Sequence, residues 1–271
     1  MEDKMGNELG SGGTSNVYEW GENEVIKVYK PHVTDDVIDN ELYIGQILNH
    51  HSLEIPRLIG SINMNDKKAL IYERISGTIM AEPILQGEYK TELAYKFAQT
   101  HYDIHQKIII ELPSQYDFLK NRIVELKSIL GDKTELLLKL LDRIPRGNML
   151  CHGDYQPLNI IGEGNKYRVI DWNGACSGNP VLDVAWTYMT LSSPAIKHVL
   201  QEPLWELVFN FAQDYVTCYC MLSGIQQEDI FRCLPITAAR RLYDNNQQDN
   251  EISRNERPWL LNLIELIGKR R

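Results

Sequence analysis

Three side chains in one short stretch could serve a single reaction: Asp154, Asn159 and Asp171. The stretch reads Met149-Leu-Cys-His-Gly-Asp-Tyr-Gln-Pro-Leu-Asn-Ile-Ile161, then Gly162-Glu-Gly-Asn165, then Lys166-Tyr-Arg-Val-Ile-Asp-Trp172. Pro157 rules out an ordinary helix between Asp154 and Asn159, so a tight loop is predicted there. Asn159-Ile-Ile and Tyr167-Arg-Val-Ile-Asp171 read as two short strands, with Gly162–Asn165 as the hairpin turn. A hairpin brings its ends together, which makes Asn159 and Asp171 neighbours. Both offer oxygen to a hard cation such as Mg²⁺. Asp154, one loop earlier, is placed to accept a proton from a hydroxyl.

Other elements must position these groups. Leu9-Gly10-Ser11-Gly12-Gly13-Thr14-Ser15 lies between two predicted strands. Glycines and small hydroxyl residues let backbone N–H groups approach phosphates without side-chain obstruction. The loop lacks the G-K-[ST] ending of a Walker P-loop. Val25-Ile-Lys-Val-Tyr29 is a strand in which Lys27 alternates with Ile26 and Val28. A helix begins near Thr34-Asp35-Asp36, an N-cap followed by early acids. Its apolar stripe of Ile38, Leu42, Gly45 and Leu48 includes Glu41, and an acid on a core face wants a cation. Lys27 is the natural partner. Strands over 57–62 and 69–75 form a hairpin around Asn65-Asp66.

The spacing His152-Gly-Asp154-x-x-x-x-Asn159, followed by Asp171-Trp172-Asn173, resembles the H-R-D-x-x-x-x-N and D-F-G loops of protein kinases. H-G-D with I-D-W resembles the aminoglycoside phosphotransferase and choline kinase branch, which phosphorylates small molecules. The resemblance implies an α+β, bilobal protein-kinase-like fold. A small antiparallel β-sheet lobe with one helix would span 1–76, and a larger, mainly helical lobe 77–271. It implies transfer of the γ-phosphoryl group of ATP or GTP to a hydroxyl of a small metabolite or antibiotic. Gly10, Ser11, Gly12, Gly13 and Thr14 would cover the phosphates, and Lys27 would hold them with Glu41 fixing Lys27. Asn159 and Asp171 would bind Mg²⁺, and Asp154 would be the catalytic base. By position, Glu73 and Ile75 would meet the adenine edge through their backbone. Asp183 would brace the catalytic loop. Only eleven residues separate Asp171 from Asp183. That excludes the long activation segment of a regulated protein kinase and favours a small acceptor. The alternative is a catalytically inactive nucleotide-binding module that acts through a partner.

The remaining chain reads as helical, with His101 and His105 on the core face of one long helix, one turn apart. Such a pair can bind metal, but without a third ligand core packing or polar bracing of the catalytic loop fits better. Further helices are predicted over 119–130, 135–141, 195–222, 228–243 and 258–267, with a polar connection over 244–251. Asp244, Asp249, Glu251 and Glu256 are C-terminal acids available to a cationic substrate, but a solvated loop is the better reading and none is assigned to substrate. A formal net charge of −9 opposes nucleic-acid binding and is compatible with such a substrate. No run of 18 apolar residues predicts a membrane span, and the first residues lack the apolar core of a signal peptide. Five cysteines, odd in number and sparse, read as reduced thiols of a cytoplasmic protein.

Overall fold

The computed structural model describes residues 4–64, 67–164, 166–248 and 250–268. The Asn65–Asp66 turn, Asn165 and Asp249 lie outside the described residues. The chain opens with strands β1 (Met5–Ser11), β2 (Ser15–Trp20) and β3 (Glu24–Tyr29), then helix α1 (Asp35–Asn49). Strands β4 (Leu58–Met64), β5 (Lys67–Glu73) and β6 (Thr78–Ile79) follow. Next come α2 (Glu82–Leu85), α3 (Thr91–His105), α4 (Gln115–Glu125), α5 (Lys127–Leu130) and α6 (Lys133–Arg143). Strands β7 (Met149–Cys151), β8 (Ile160–Glu163), β9 (Lys166–Val169) and β10 (Cys176–Gly178) occupy the centre. The chain then runs through α7 (Pro180–Leu191), α8 (Leu204–Ser223), α9 (Gln227–Arg232), α10 (Leu234–Gln248) and α11 (Glu251–Glu265). The residues group into two compact units, 1–80 with 158–174, and 81–157 with 175–271. The central β8–β9 hairpin thus belongs with the N-terminal sheet, which chain order alone does not reveal.

The first unit is a five-stranded antiparallel sheet in the order β1-β2-β3-β5-β4, with α1. Strand alternation divides its side chains between two cores. Tyr29, Val33, Ile38, Leu58 and Leu70 form the cluster shared with α1. Trp20, Ile26, Ala69 and Ile71 form the other. Lys27, between Ile26 and Val28, therefore points with Tyr29 to the helix side, where Glu41 is also buried. A three-stranded sheet, β6-β8-β9, completes the unit. Gly77 enters it at φ +134, and a Cβ there would collide with the Gly162 carbonyl. Only glycine allows that approach.

The second unit is helical, with a two-stranded β7–β10 ribbon. Its core is aromatic. Phe97 on α3 lies 4.4 Å from Tyr155, 5.0 Å from Phe211 and 4.9 Å from Tyr215, measured between ring centres. The helix predicted over 119–130 breaks at Leu126 into α4 and α5. The predicted polar connection over 244–251 is a correction: α10 continues through Gln248 and α11 starts at Glu251. Two of its polar residues have partners on other helices, Asp244 on Arg122 and Asn245 on Glu256. Asn245 is buried and donates to Glu256 at 2.6 Å. Among the described residues no helix is long and apolar enough to cross a membrane.

Candidate active site

The first unit gathers one half of the candidate groups. The turn between β1 and β2 carries Gly12, Gly13 and Thr14, while Gly10 and Ser11 end β1 itself. Gly12 N–H donates to the Ser15 carbonyl at 2.8 Å, and Ser11 Oγ donates to Asn16 Oδ1 at 2.9 Å. Lys30 reaches back to the Gly12 carbonyl, so the tip is tied to the end of β3. Lys27 Nζ lies 2.8 Å from Glu41 Oε1, 3.0 Å from Glu41 Oε2 and 2.8 Å from Asp171 Oδ1. Tyr72 Oη donates to Glu41 Oε1 at 2.9 Å. Burial opposes the charge on Lys27, but the Asp171 and Glu41 carboxylates outweigh it and hold the ammonium above the usual lysine range.

Asn159 and Asp171 flank the base of the β8–β9 hairpin. Ile160 pairs with Val169, and Ile170 N–H closes the ladder on the Asn159 carbonyl at 2.9 Å. At the base the strands stop short of the predicted ends, at Ile160 and Val169, whereas towards the turn they run further, to Glu163 and from Lys166. Asn159 ends a 3₁₀ turn, Pro157–Asn159, and Asp171 lies beyond β9 at φ 62. Left-handed backbone is unusual for a non-glycine residue and is concentrated at functional sites. Trp172 anchors the following turn: its Nε1 donates to the Val169 carbonyl at 2.8 Å. Two oxygen-bearing side chains at one hairpin base are the donor chemistry that Mg²⁺ requires. Glu73 ends β5, its N–H bonded to the Arg57 carbonyl at 2.9 Å and its carboxylate 3.7 Å from Arg168. Ile75 lies two residues past that strand.

The second unit holds Asp154. Gln156 Nε2 donates to Asp154 Oδ2 at 3.1 Å, and Trp186 Nε1 donates to Asp154 Oδ1 at 3.2 Å. The loop carrying it hangs on Asp183, at the first turn of α7. Asp183 Oδ2 accepts from His152 N–H at 2.7 Å, and Oδ1 accepts from Gly153 N–H at 2.9 Å. His101 Nε2 and His105 Nε2 stand 3.1 and 3.3 Å from the same Oδ2. Tyr215 and Tyr219 on α8 face the opposite ring nitrogens at 2.7 and 2.6 Å. The satisfied arrangement has both tyrosines donating to Nδ1 and both neutral imidazoles donating from Nε2. Burial alone would raise the Asp183 carboxyl, but the histidine hydrogen bonds hold it well below the usual range. The two backbone N–H groups act in the same direction. His101, His105 and Asp183 have ligand atoms within 4.8 Å of one another, a spacing a metal could use. Here that capacity goes to bracing the loop.

This network carries a pH signature. Burial, then the neighbouring His105, push His101 down to about 3. Between about pH 6.5 and about pH 3 the unfolded imidazole binds a proton that the folded one refuses. Stability therefore falls with acidification across that window, by about 1.4 kcal/mol per pH unit for this group. Asp183 adds to the loss once pH falls below about 4, where the unfolded carboxyl protonates first. Urea unfolding midpoints measured from pH 7 to pH 4 should show this slope, and His101→Gln should reduce it by about one proton.

Sequence reasoning missed Trp186, Gln156 and the two tyrosines. The tyrosines carried a readable signal. Tyr215 and Tyr219 repeat on α8 the one-turn spacing of His101 and His105 on α3. Glu256, offered as an acid for a substrate cation, is instead buried. It is bonded to Ser193, to Arg241 at 3.0 Å and to Asn245.

An antiparallel sheet and helix joined by a buried Lys–Glu pair, with a mainly helical second part, make up a protein-kinase-like fold. The sequence profile of the phosphotransferase enzyme family, APH, matches residues 7–204, and the chain belongs to that family. A LicA homolog of Mycoplasma capricolum is 25% identical over 139 residues, 50% of this chain and 55% of that protein. The chain thus spans about half the length of that curated relative. A thermostable mutant of aminoglycoside phosphotransferase APH(4)-Ia, solved with AMP-PNP and hygromycin B, superposes with TM-score 0.66 at 13% identity, covering 97% and 92% of the two chains. The streptomycin–ATP complex of APH(2″)-IIa superposes with TM-score 0.59 at 18% identity, covering 94% and 90%. Both likenesses carry the fold.

Proposed function

We propose that the protein is a small-molecule kinase that transfers the γ-phosphoryl group of ATP, or of GTP, to a hydroxyl of a small acceptor. The observation that carries this reading is the buried Lys27, held between Glu41 and Asp171 at 2.8 Å from each. A cation this buried is compensated, rigid and directed at the side chain that ends the metal hairpin. Phosphoryl transfer depends mainly on positioning and charge, which is what such a group supplies. Family neighbours were solved with ATP, with ADP and with GDP, which supports a nucleotide donor.

In this reading the β1–β2 turn covers the phosphates, and Lys27 contacts their α and β oxygens. Asn159 and Asp171 would hold Mg²⁺, whose bound charge offsets that of the phosphate oxygens. Asp154 orients the acceptor hydroxyl and takes its proton, with Gln156 and Trp186 fixing the carboxylate's rotamer. The backbone of Glu73 and Ile75 would meet the nucleobase. The N–H of Glu73 is engaged within the sheet, so its carbonyl is the group on offer.

The test is nucleotide consumption in Mg²⁺ against a panel of aminoglycosides, macrolides, amino alcohols, hydroxy acids and sugars. Acceptor-dependent ADP or GDP release is the expected result. Tight nucleotide binding with no transfer to any acceptor would favour the inactive binding module instead.

Glu41→Gln isolates the phosphate-gripping pair. It leaves the Tyr72 hydroxyl an acceptor but removes one of the two charges on Lys27. Unfolding free energy should drop by about 1–3 kcal/mol, and the KM for ATP should rise about tenfold with a smaller change in kcat. Denaturant titration and steady-state kinetics check both.

A further inference from the structure

Arg240 on α10 stands one indole away from Asp154. Its guanidinium carbon lies 3.5 Å from the centre of the Trp186 ring, and Trp186 Nε1 donates to Asp154. On the other side, the same carbon is 5.1 Å from the Phe118 ring. Arg122 stacks on Phe118 at 3.5 Å and lies 5.1 Å from Tyr243. The result is a ladder of alternating cations and rings, all within the second unit.

The aromatic contacts use the faces of the Arg240 guanidinium and leave its N–H edge for hydrogen bonding. Part of that edge is not satisfied: among the described residues Nε is buried without a hydrogen-bond partner, and Asp244 Oδ2 stands 3.8 Å from it. Asp244 is shared, because Arg122 Nε also reaches it, at 3.4 Å. The Arg240 side chain is only 13% exposed. A buried guanidinium with an unfilled Nε donor carries a desolvation cost, and the Nε–Nη edge is the one that meets a planar oxyanion through two parallel N–H···O bonds. An aromatic clamp alone would not need the charge.

We infer that Arg240 is a specificity-determining residue that binds an anionic oxygen group, carboxylate or phosphate ester, on the acceptor whose hydroxyl meets Asp154. This rests on the kinase reading and narrows its substrate class. The acceptor is a hydroxylated acid or phosphate ester, and it can carry an ammonium elsewhere, as the chain's acidity allows. Arg240 holds the anion away from the Asp154 carboxylate, and Trp186 separates the two.

The test is calorimetric titration of the full chain, saturated with Mg²⁺ and AMP-PNP so that the nucleotide groups are filled. The probes are matched pairs: glycerate and glycerol, serine and serinol, and glycerol 3-phosphate and glycerol. At least one anionic member should bind at least tenfold more tightly than its uncharged partner. Arg240→Met should abolish that advantage without changing AMP-PNP affinity, and Arg240→Lys should restore part of it. Asp244→Asn, which removes a competing acid, should enlarge it. The inference is overturned if no anionic probe outbinds its partner, or if Arg240→Met leaves the advantage in place. AMP-PNP affinity, read in a separate titration, reports on the kinase reading independently. If no nucleotide binds, the probe pairs are still compared on the free chain.

Discussion

Asp154→Asn should lower kcat by about 10²–10⁴-fold, the usual range for loss of a positioned acid–base group, with nucleotide affinity close to wild type. The substitution preserves shape. Gln156 and Trp186 donate to different oxygens, at 3.1 and 3.2 Å, so the amide oxygen keeps the Trp186 bond while the Gln156 carboxamide can turn its own oxygen to the new NH2. What is lost is the ability to take a proton and the charge that orients the hydroxyl. Single-turnover kinetics on an accepted substrate, with AMP-PNP binding measured alongside, separates the two effects. A variant that turned over at the wild-type rate would remove Asp154 from the chemistry.

The second large effect belongs to a residue that touches no substrate. Asp183→Ala should cost about 3–5 kcal/mol of stability, the range for breaking one side of a buried charged network. The carboxylate accepts from two backbone N–H groups and two imidazoles. Its removal leaves four donors facing an apolar interior. His152 and Gly153 are the residues immediately before Asp154, so the surviving folded fraction should also lose rate. Asp183→Asn offers a milder comparison. It keeps one acceptor oxygen but introduces an N–H group against a backbone donor. Thermal unfolding of both variants, with kcat measured on the folded fraction, provides the check.

The chemistry was legible in the sequence where it depended on local rules. Alternation in Val25–Tyr29 put Lys27 opposite its neighbours, and helical spacing put Glu41 among Ile38, Leu42 and Leu48. A glycine turn folded Asn159 back towards Asp171. The strand limits were less legible, because Asp171 adopts a left-handed backbone, which aspartate tolerates but which a run of strand-forming neighbours does not announce. The brace around Asp183 joins residues from α3, the loop after β7, α7 and α8; Asp183 and the two α3 histidines stood out in advance, and the tyrosines did not. The helix through Asp244–Gln248 was concealed by its polarity, since two of its partners, Arg122 and Glu256, come from other helices. Arg240 itself was unmarked, one of two adjacent arginines. Its neighbour Arg241 serves only to hold Glu256.

The brief passage from Trp172 to Leu182 has a consequence for control in the cell. Its single hydroxyl residue, Ser177, is strapped into the β7–β10 ribbon opposite Leu150, with its N–H on the Pro113 carbonyl at 2.9 Å. Its backbone is held in the ladder and its side chain is half-buried. Between Trp172 and Leu182 no hydroxyl lies on a free loop, which is where the activation segment of a regulated protein kinase carries its phosphosite.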